Sequence, residues 1–198
     1  MLTLVVGTRN AKKKAEIEKI LAGLPLRLKS VADYTDAPDV VEDGDTFEEN
    51  ARKKALEYAD ALDEWVVADD SGLQVDALGG QPGVHSARYA GPDATGADLC
   101  RKLLGELKDV PPESRTARFR CVIAVAKPGE VLFAVQAAVE GIITREMRGS
   151  GGFGYDPVFL YPRLGRTFAE LTMEEKNSVS HRGRALELFK VELKKRLG

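Results

Sequence analysis

Trp65-Val66-Val67-Ala68-Asp69-Asp70-Ser71-Gly72 is the stretch on which the reading of this chain turns. An aromatic and two β-branched residues, then two acids, a serine and a glycine, predict a buried strand that stops in a polar turn. In open α/β sheets ligands gather beyond the carboxyl ends of the strands. Neighbouring side chains on a strand point to opposite faces, so one of the two carboxylates is expected to face a cleft and the other to stand behind it. Hard oxygen donors there suit Mg2+, which takes one or two carboxylates and fills its shell with water and phosphate oxygens. A solvated turn built on Asx or Ser hydrogen bonds accounts for the same residues, and this stretch alone does not separate the two.

Upstream, Leu2 to Val6 is an apolar run closed by Gly7, and Ala11 to Leu21 carries Ile17, Ile20 and Leu21 at helical spacing. Together they predict a strand–turn–helix unit with Asn10 as N-cap. Lys12, Lys13 and Lys14 then fall in the first helical turn, where cations oppose the helix dipole unless an anion is bound there. A solvated charge run is the plain alternative. Leu26 to Val31 is a second strand, and residues 33 to 45, acidic and turn-rich, form a surface loop. Thr46 and Glu49 make a capping box for a helix reaching about Leu62. Its Thr46, Asn50 and Lys54 share one face, which either meets a ligand or is wet. Glu42 lies just upstream, placed to join a metal site.

Downstream, Leu78 to Gly83 is a loop and Ala97 to Leu107 a helix by periodicity. Residues 116 to 126 and 131 to 144 flank Lys127-Pro128-Gly129-Glu130 and read as a long antiparallel hairpin. A hairpin inside a strand–helix pattern predicts an α/β fold with a mixed sheet and two lobes. Gly149-Ser150-Gly151-Gly152-Phe153-Gly154-Tyr155-Asp156-Pro157 interleaves glycines, aromatics and an acid, a combination suited to a flat ligand. Thr172 and Glu175 cap a short helix. Ser180-His181-Arg182 precedes a final helix whose Leu186, Phe189, Leu193 and Leu197 form a core stripe.

The composition limits the functional classes. At 198 residues, with 43% hydrophobic and 30% charged content, the chain is an ordinary globular protein, expected to form a single domain over 1–198 without a separable linker. A formal net charge of −2 argues against nucleic acid as a partner. Cys100 and Cys121 are too few for a disulfide framework and match no metal-ligand spacing. No run is long enough to cross a membrane and the start lacks a basic leader, so a cytoplasmic setting is the expectation.

Five motifs in order resemble the inosine triphosphate pyrophosphatase family over nearly the whole chain. They are Thr8-x-Asn10-x-x-Lys13, Glu42-x-Gly44-x-Thr46-Phe47-x-x-Asn50-Ala51, Ala68-Asp69-Asp70-Ser71-Gly72-Leu73, Gly151 to Pro157, and Lys176-x-x-x-Ser180-His181-Arg182. The resemblance implies hydrolysis of ITP, dITP and XTP to monophosphate and pyrophosphate with Mg2+, and a long mixed sheet with flanking helices. It also implies two lobes around a central substrate cleft, and a homodimer. By the same resemblance Thr8, Arg9, Asn10, Ala11, Lys12 and Lys13 hold phosphates, with Lys54 adding a further positive charge. Glu42 and Asp70 hold the metal, Asp70 is the base for the attacking water, and Ser71 touches substrate. Phe153, Gly154, Tyr155, Asp156, Lys176, His181 and Arg182 enclose base and sugar. Many members carry glycine where this chain has Arg9. Phosphoryl transfer suits such a set, since it needs charge neutralisation and an aligned water more than covalent chemistry. A base beside Mg2+ would keep a low pKa, with activity rising toward alkaline pH. Two rivals are a pyrophosphatase for other modified nucleotides, such as pyrimidines, and a sensor that binds a triphosphate without cleaving it.

Overall fold

A computed structural model describes residues 1–197, with the side chains of Ala11, Lys12 and Glu16 outside the described set. The strands are β1 (Leu2–Val6), β2 (Leu26–Ser30), β3 (Trp65–Val75), β4 (Thr116–Lys127), β5 (Glu130–Ile143), β6 (Phe159–Tyr161) and β7 (Arg166–Thr167). The α-helices are α1 (Ala11–Leu21), α2 (Phe47–Leu62), α3 (Gly96–Glu106), α4 (Met173–Val179) and α5 (His181–Leu197). One seven-stranded sheet runs in the order β2-β1-β3-β4-β5-β6-β7. It is mixed, as expected: β1 pairs parallel with β2 and β3, while β6 pairs antiparallel with β5 and β7.

The chain forms two compact units, each assembled from separated segments. The first comprises Met1–Asp70, Cys121–Ala137 and Ala185–Gly198; the second comprises Ser71–Arg120 and Ala138–Arg184. Strands β3, β4 and β5 are therefore shared in sequence between them, which explains why no linker is legible. Each unit has its own core. In the first, Leu4, Val6 and Val67 of the sheet pack with Ile17 and Leu21 of α1 and with Leu186, Phe189 and Leu193 of α5. Cys121 is part of this core, and the α5 stripe is buried as its spacing predicts. In the second, Leu73, Val75, Phe119, Phe159 and Phe168 pack with Leu99 and Leu103 of α3. Burying one such Leu or Phe contributes about 1.5–3 kcal/mol.

One local expectation fails. The acids of the central stretch do not end a strand in a turn, because β3 continues through Asp69-Asp70-Ser71-Gly72 to Val75. Leu73 and Val75 are fully buried in the second core, and that alternation carries the strand on. The extended backbone is also tied from outside, since the Leu73 amide donates to Ser86 Oγ at 2.9 Å and the Val75 amide to the Gln81 carbonyl at 3.0 Å.

Candidate active site

A strand end does lie beside the two acids, that of β1. Its parallel ladder with β3 ends at Val6↔Val67, extended by the Gly7 amide donating to the Val67 carbonyl at 2.7 Å. Asp69 and Asp70 follow on β3 after Ala68, beyond the last rung. Gly7 leaves room for this crossing, because a Cβ there would lie 3.1 Å from both Ala68 Cβ and the Val67 carbonyl oxygen.

In the first unit three pairs assemble around the two acids. Lys13 Nζ lies 2.9 Å from Asp69 Oδ2, and Asp69 is 4% exposed. This pair offsets the cost of a cation in the first turn of α1. The turn before it is held by Asn10, whose amide donates to Thr8 Oγ1 at 3.1 Å and whose Oδ1 accepts from the Lys13 amide at 3.4 Å. Lys54 Nζ lies 2.7 Å from Glu42 Oε1, and Lys54 is buried. Asn50 Nδ2 donates to Asp70 Oδ2 at 3.1 Å. The Thr46–Asn50–Lys54 face is thus turned inward at Asn50 and Lys54, not wet. The Thr46 capping box forms as expected and fixes where α2 begins.

Burial pushes the Asp70 carboxyl above its ordinary range; Lys54 pulls it down and Glu42 pushes it up. The low pKa expected for a base beside Mg2+ is thus not supplied by the chain's own groups. The attraction of two lysines does not outweigh desolvation. A divalent cation would reverse this balance. Among the described residues no three His, Cys, Asp or Glu side chains form a closed metal cage. Glu42 and Asp70 do offer two carboxylates, a set suited to a cation whose other ligands are water and phosphate oxygens.

The second unit gathers the remaining residues around Phe153. Asp156 Oδ2, buried, accepts from the Phe153 amide at 2.8 Å and from Lys176 Nζ at 2.5 Å. Lys176 Nζ lies 4.4 Å from the Phe153 ring centroid, and Arg182 Cζ lies 6.0 Å from it. Arg182 Nη2 donates to Ser71 Oγ at 2.8 Å. His181 stacks on Phe119 with centroids 4.7 Å apart, and His181 and Arg182 are both buried. Phe153 itself is 41% exposed, a partly open aromatic face with cations beside it. The loop reaches this shape because Gly152, at φ 71°, tolerates no side chain against Asp156. The Thr172–Glu175 capping box starts α4 and so sets Lys176, while Ser180 caps α5, accepting from the Gly183 amide at 3.1 Å.

Several expected residues lie elsewhere. Tyr155 points into the second core, 3% exposed, with its hydroxyl donating to the Ser86 carbonyl at 2.8 Å. The Gly154 carbonyl accepts from the Cys100 thiol at 3.3 Å. Arg9 reaches the Ala37 carbonyl and Asp39 Oδ1, both at 3.3 Å, on the exposed side of the loop before α2. The Ala11 and Lys12 side chains lie outside the described residues. Sequence reading missed Asp69 as the partner of Lys13, Phe119 as the support of His181, and Ser86 as the anchor of Tyr155. Only the Lys13–Asp69 pair had a signal, a first-turn lysine whose dipole cost called for an anion.

A model of the Ham1 family matches residues 4–192. A dITP/XTP pyrophosphatase from Geobacillus kaustophilus is 54% identical over 94% of this chain and 91% of its own. A dITP/XTP pyrophosphatase from Geobacter sulfurreducens is 54% identical over 96% of each chain. Among solved structures, a HAM1 protein from Coxiella burnetii superposes with a TM-score of 0.93 at 41% identity, covering 98% of this chain and 100% of that one.

Proposed function

This chain belongs to the Ham1 family, and from that membership and the two clusters we propose that it hydrolyses deaminated purine nucleoside triphosphates, dITP, ITP and XTP, to monophosphate and pyrophosphate. The observation that carries the reading is a buried carboxylate, Asp70, beside Glu42 and Lys54 and one residue from the Lys13–Asp69 pair. A sensor has no need of a water-activating carboxylate among phosphate-binding cations, which favours an enzyme over a sensor.

Glu42 and Asp70 would hold Mg2+, which when bound neutralises phosphate charge and favours ionisation of a nearby water. The chain's own groups do the rest. Asp70 accepts a proton from the attacking water, its carboxylate oriented by Asn50. Lys13 and Lys54, already held against carboxylates, exchange those partners for phosphate oxygens and stabilise charge on the departing pyrophosphate. Thr8 and Asn10 shape the turn that opens α1, where backbone amides favour an anion. The bond between the α-phosphorus and the bridging oxygen breaks as the water oxygen bonds to phosphorus.

Asp70 closes the phosphate-side cluster and Ser71, its chain neighbour, opens the base-side one. Phe153 stacks on the purine, Asp156 and Lys176 hold Phe153 in place, and His181 and Arg182 read the purine edge. Hypoxanthine and xanthine present an acceptor at O6 and a protonated N1. Adenine presents an amine at C6, which leaves donors aimed at O6 without partners; buried mismatches of this kind reach about 10⁴ in selectivity. The whole chain then acts as one catalytic domain. A homodimer and a cytoplasmic setting belong to the same reading, supported by the family resemblance and by two buried free thiols. No helix among the described residues is long and apolar enough to cross a membrane.

Mixing the protein with Mg2+ and a panel of triphosphates, and measuring pyrophosphate, tests the proposal. Release from dITP, ITP and XTP well above dATP, dGTP and modified pyrimidine triphosphates, abolished by EDTA, supports it. Binding without release identifies a sensor, and preference for a pyrimidine identifies the rival enzyme.

A further inference from the structure

The loop that carries Glu42 is held residue by residue by the first two turns of α2. Lys54 pairs with Glu42 at 2.7 Å and Lys53 with Asp43 at 2.5 Å. Asn50 Oδ1 accepts from the Gly44 amide at 2.8 Å. Glu49 Oε2 accepts from the Asp45 and Thr46 amides at 2.8 and 3.1 Å. Asn50 also reaches β3, since its Nδ2 donates to Asp70 Oδ2 at 3.1 Å. It is 1% exposed, so its orientation is not diluted by solvent. An amide is the side chain this place requires: the Gly44 amide needs an acceptor and the Asp70 carboxylate a donor, and Asn supplies one of each. Gly44 completes the fit. A Cβ there would lie 2.8 Å from Asn50 Oδ1 and 2.8 Å from Glu49 Cβ, so only glycine lets the loop approach this closely without displacing the amide.

We infer that Asn50 is a positioning residue that fixes the Asp70 carboxylate relative to the loop bearing Glu42. It touches neither phosphate nor purine. It sets the spacing and the orientation of the two carboxylates through one rigid side chain on a capped helix. This inference rests on the functional reading above. It assigns the asparagine of the second motif a role that needs no contact with substrate. Groups that orient metal-binding carboxylates typically change metal affinity or activity by about 10- to 100-fold when removed.

The test compares wild type with Asn50→Ala and Gly44→Ala, using Mn2+ alone as an EPR probe of the metal-free protein and dITP hydrolysis as a second readout. Asn50→Ala should weaken Mn2+ binding by about 10-fold and lower kcat by roughly 10- to 100-fold, with KM for dITP changing less than about 3-fold. Gly44→Ala, which displaces the amide without removing it, should shift both in the same direction by less. Asn50→Asp covers the case in which the alanine variant fails to fold. Its Oδ1 still accepts from the Gly44 amide, but its other oxygen faces Asp70 with no proton to donate. It should lower kcat while KM holds. A folded Asn50→Ala protein that binds Mn2+ and turns over dITP like wild type overturns the inference and leaves the functional reading standing. A loss confined to thermal stability also overturns it. Wild type that neither binds Mn2+ nor cleaves dITP removes both.

Discussion

The two clusters use charge in different ways. In the first unit the lysines meet carboxylates directly, Lys13 on Asp69 and Lys54 on Glu42. In the second unit the cations lie near a ring: Lys176 and Arg182 are beside Phe153, and each donates to an oxygen, of Asp156 or Ser71. Under the proposed function the first arrangement is an exchangeable one, with phosphate replacing carboxylate as the partner of a cation. The second is a shaped one, in which a partly exposed aromatic face has its neighbours fixed in advance. On the proposed reading the first takes a polyanionic tail and the second a planar heterocycle. A chain that must act on one nucleotide and spare another needs both, and it needs them independent.

The largest effect should come from the first cluster. Asp70→Asn is expected to lower kcat for dITP by about 10²–10⁴, measured as pyrophosphate release, while calorimetry still detects dITP binding. Turnover within a few-fold of wild type would shift the base to Asp69 or Glu42. Next, Phe153→Ala should weaken dITP and dATP together by roughly 5- to 100-fold, as loss of one stacking contact predicts. Unequal weakening would make Phe153 a base reader and blur the division. Lys13→Ala should raise KM more than it lowers kcat, by about 10-fold, with dIMP affinity nearly unchanged. Equal losses for dIMP and dITP would remove Lys13 from the triphosphate tail.

The smallest effect concerns stability. Burial raises the folded-state pKa of Asp70, so its contribution to stability is fully present below the ordinary carboxylate range and is lost as pH rises through the raised value. Near pH 8 the metal-free protein therefore carries a buried charge that folding disfavours. Asp70→Asn should melt at the same temperature or a few degrees higher there, by about 2–4 °C for each 1 kcal/mol relieved. A fall of several degrees would mean that Lys54 and Asn50 hold the charge more favourably than desolvation penalises it.

What was legible in the sequence was local. The capping boxes at Thr46 and Thr172 fixed two helix starts within four residues each, and the two helices in turn present Asn50, Lys54 and Lys176. The β1–α1 unit was equally readable, because a short apolar run, a glycine and an N-cap follow one another. What was not legible depended on partners far away in the chain. Asp69-Asp70-Ser71-Gly72 has turn composition, but Ser86 and Gln81 bind the following backbone and hold it extended. Tyr155 sits in a glycine-rich loop that suggests exposure, but the second core and the Ser86 carbonyl draw it inward. Strands β6 and β7 are three and two residues long and offer no period to detect. The division into two units is invisible because the chain passes between them within β3, β4, β5 and α5, not at a linker.

The independence of the clusters is tested most directly by one set of kinetics: kcat/KM for dITP and for dATP on wild type, Lys13→Ala and Arg182→Ala. Lys13→Ala should lower both values by a common factor and leave their ratio unchanged. Arg182→Ala should lower the dITP value far more than the dATP value and narrow the ratio. A ratio that moves with Lys13 or stays fixed without Arg182 contradicts the independence of the two clusters.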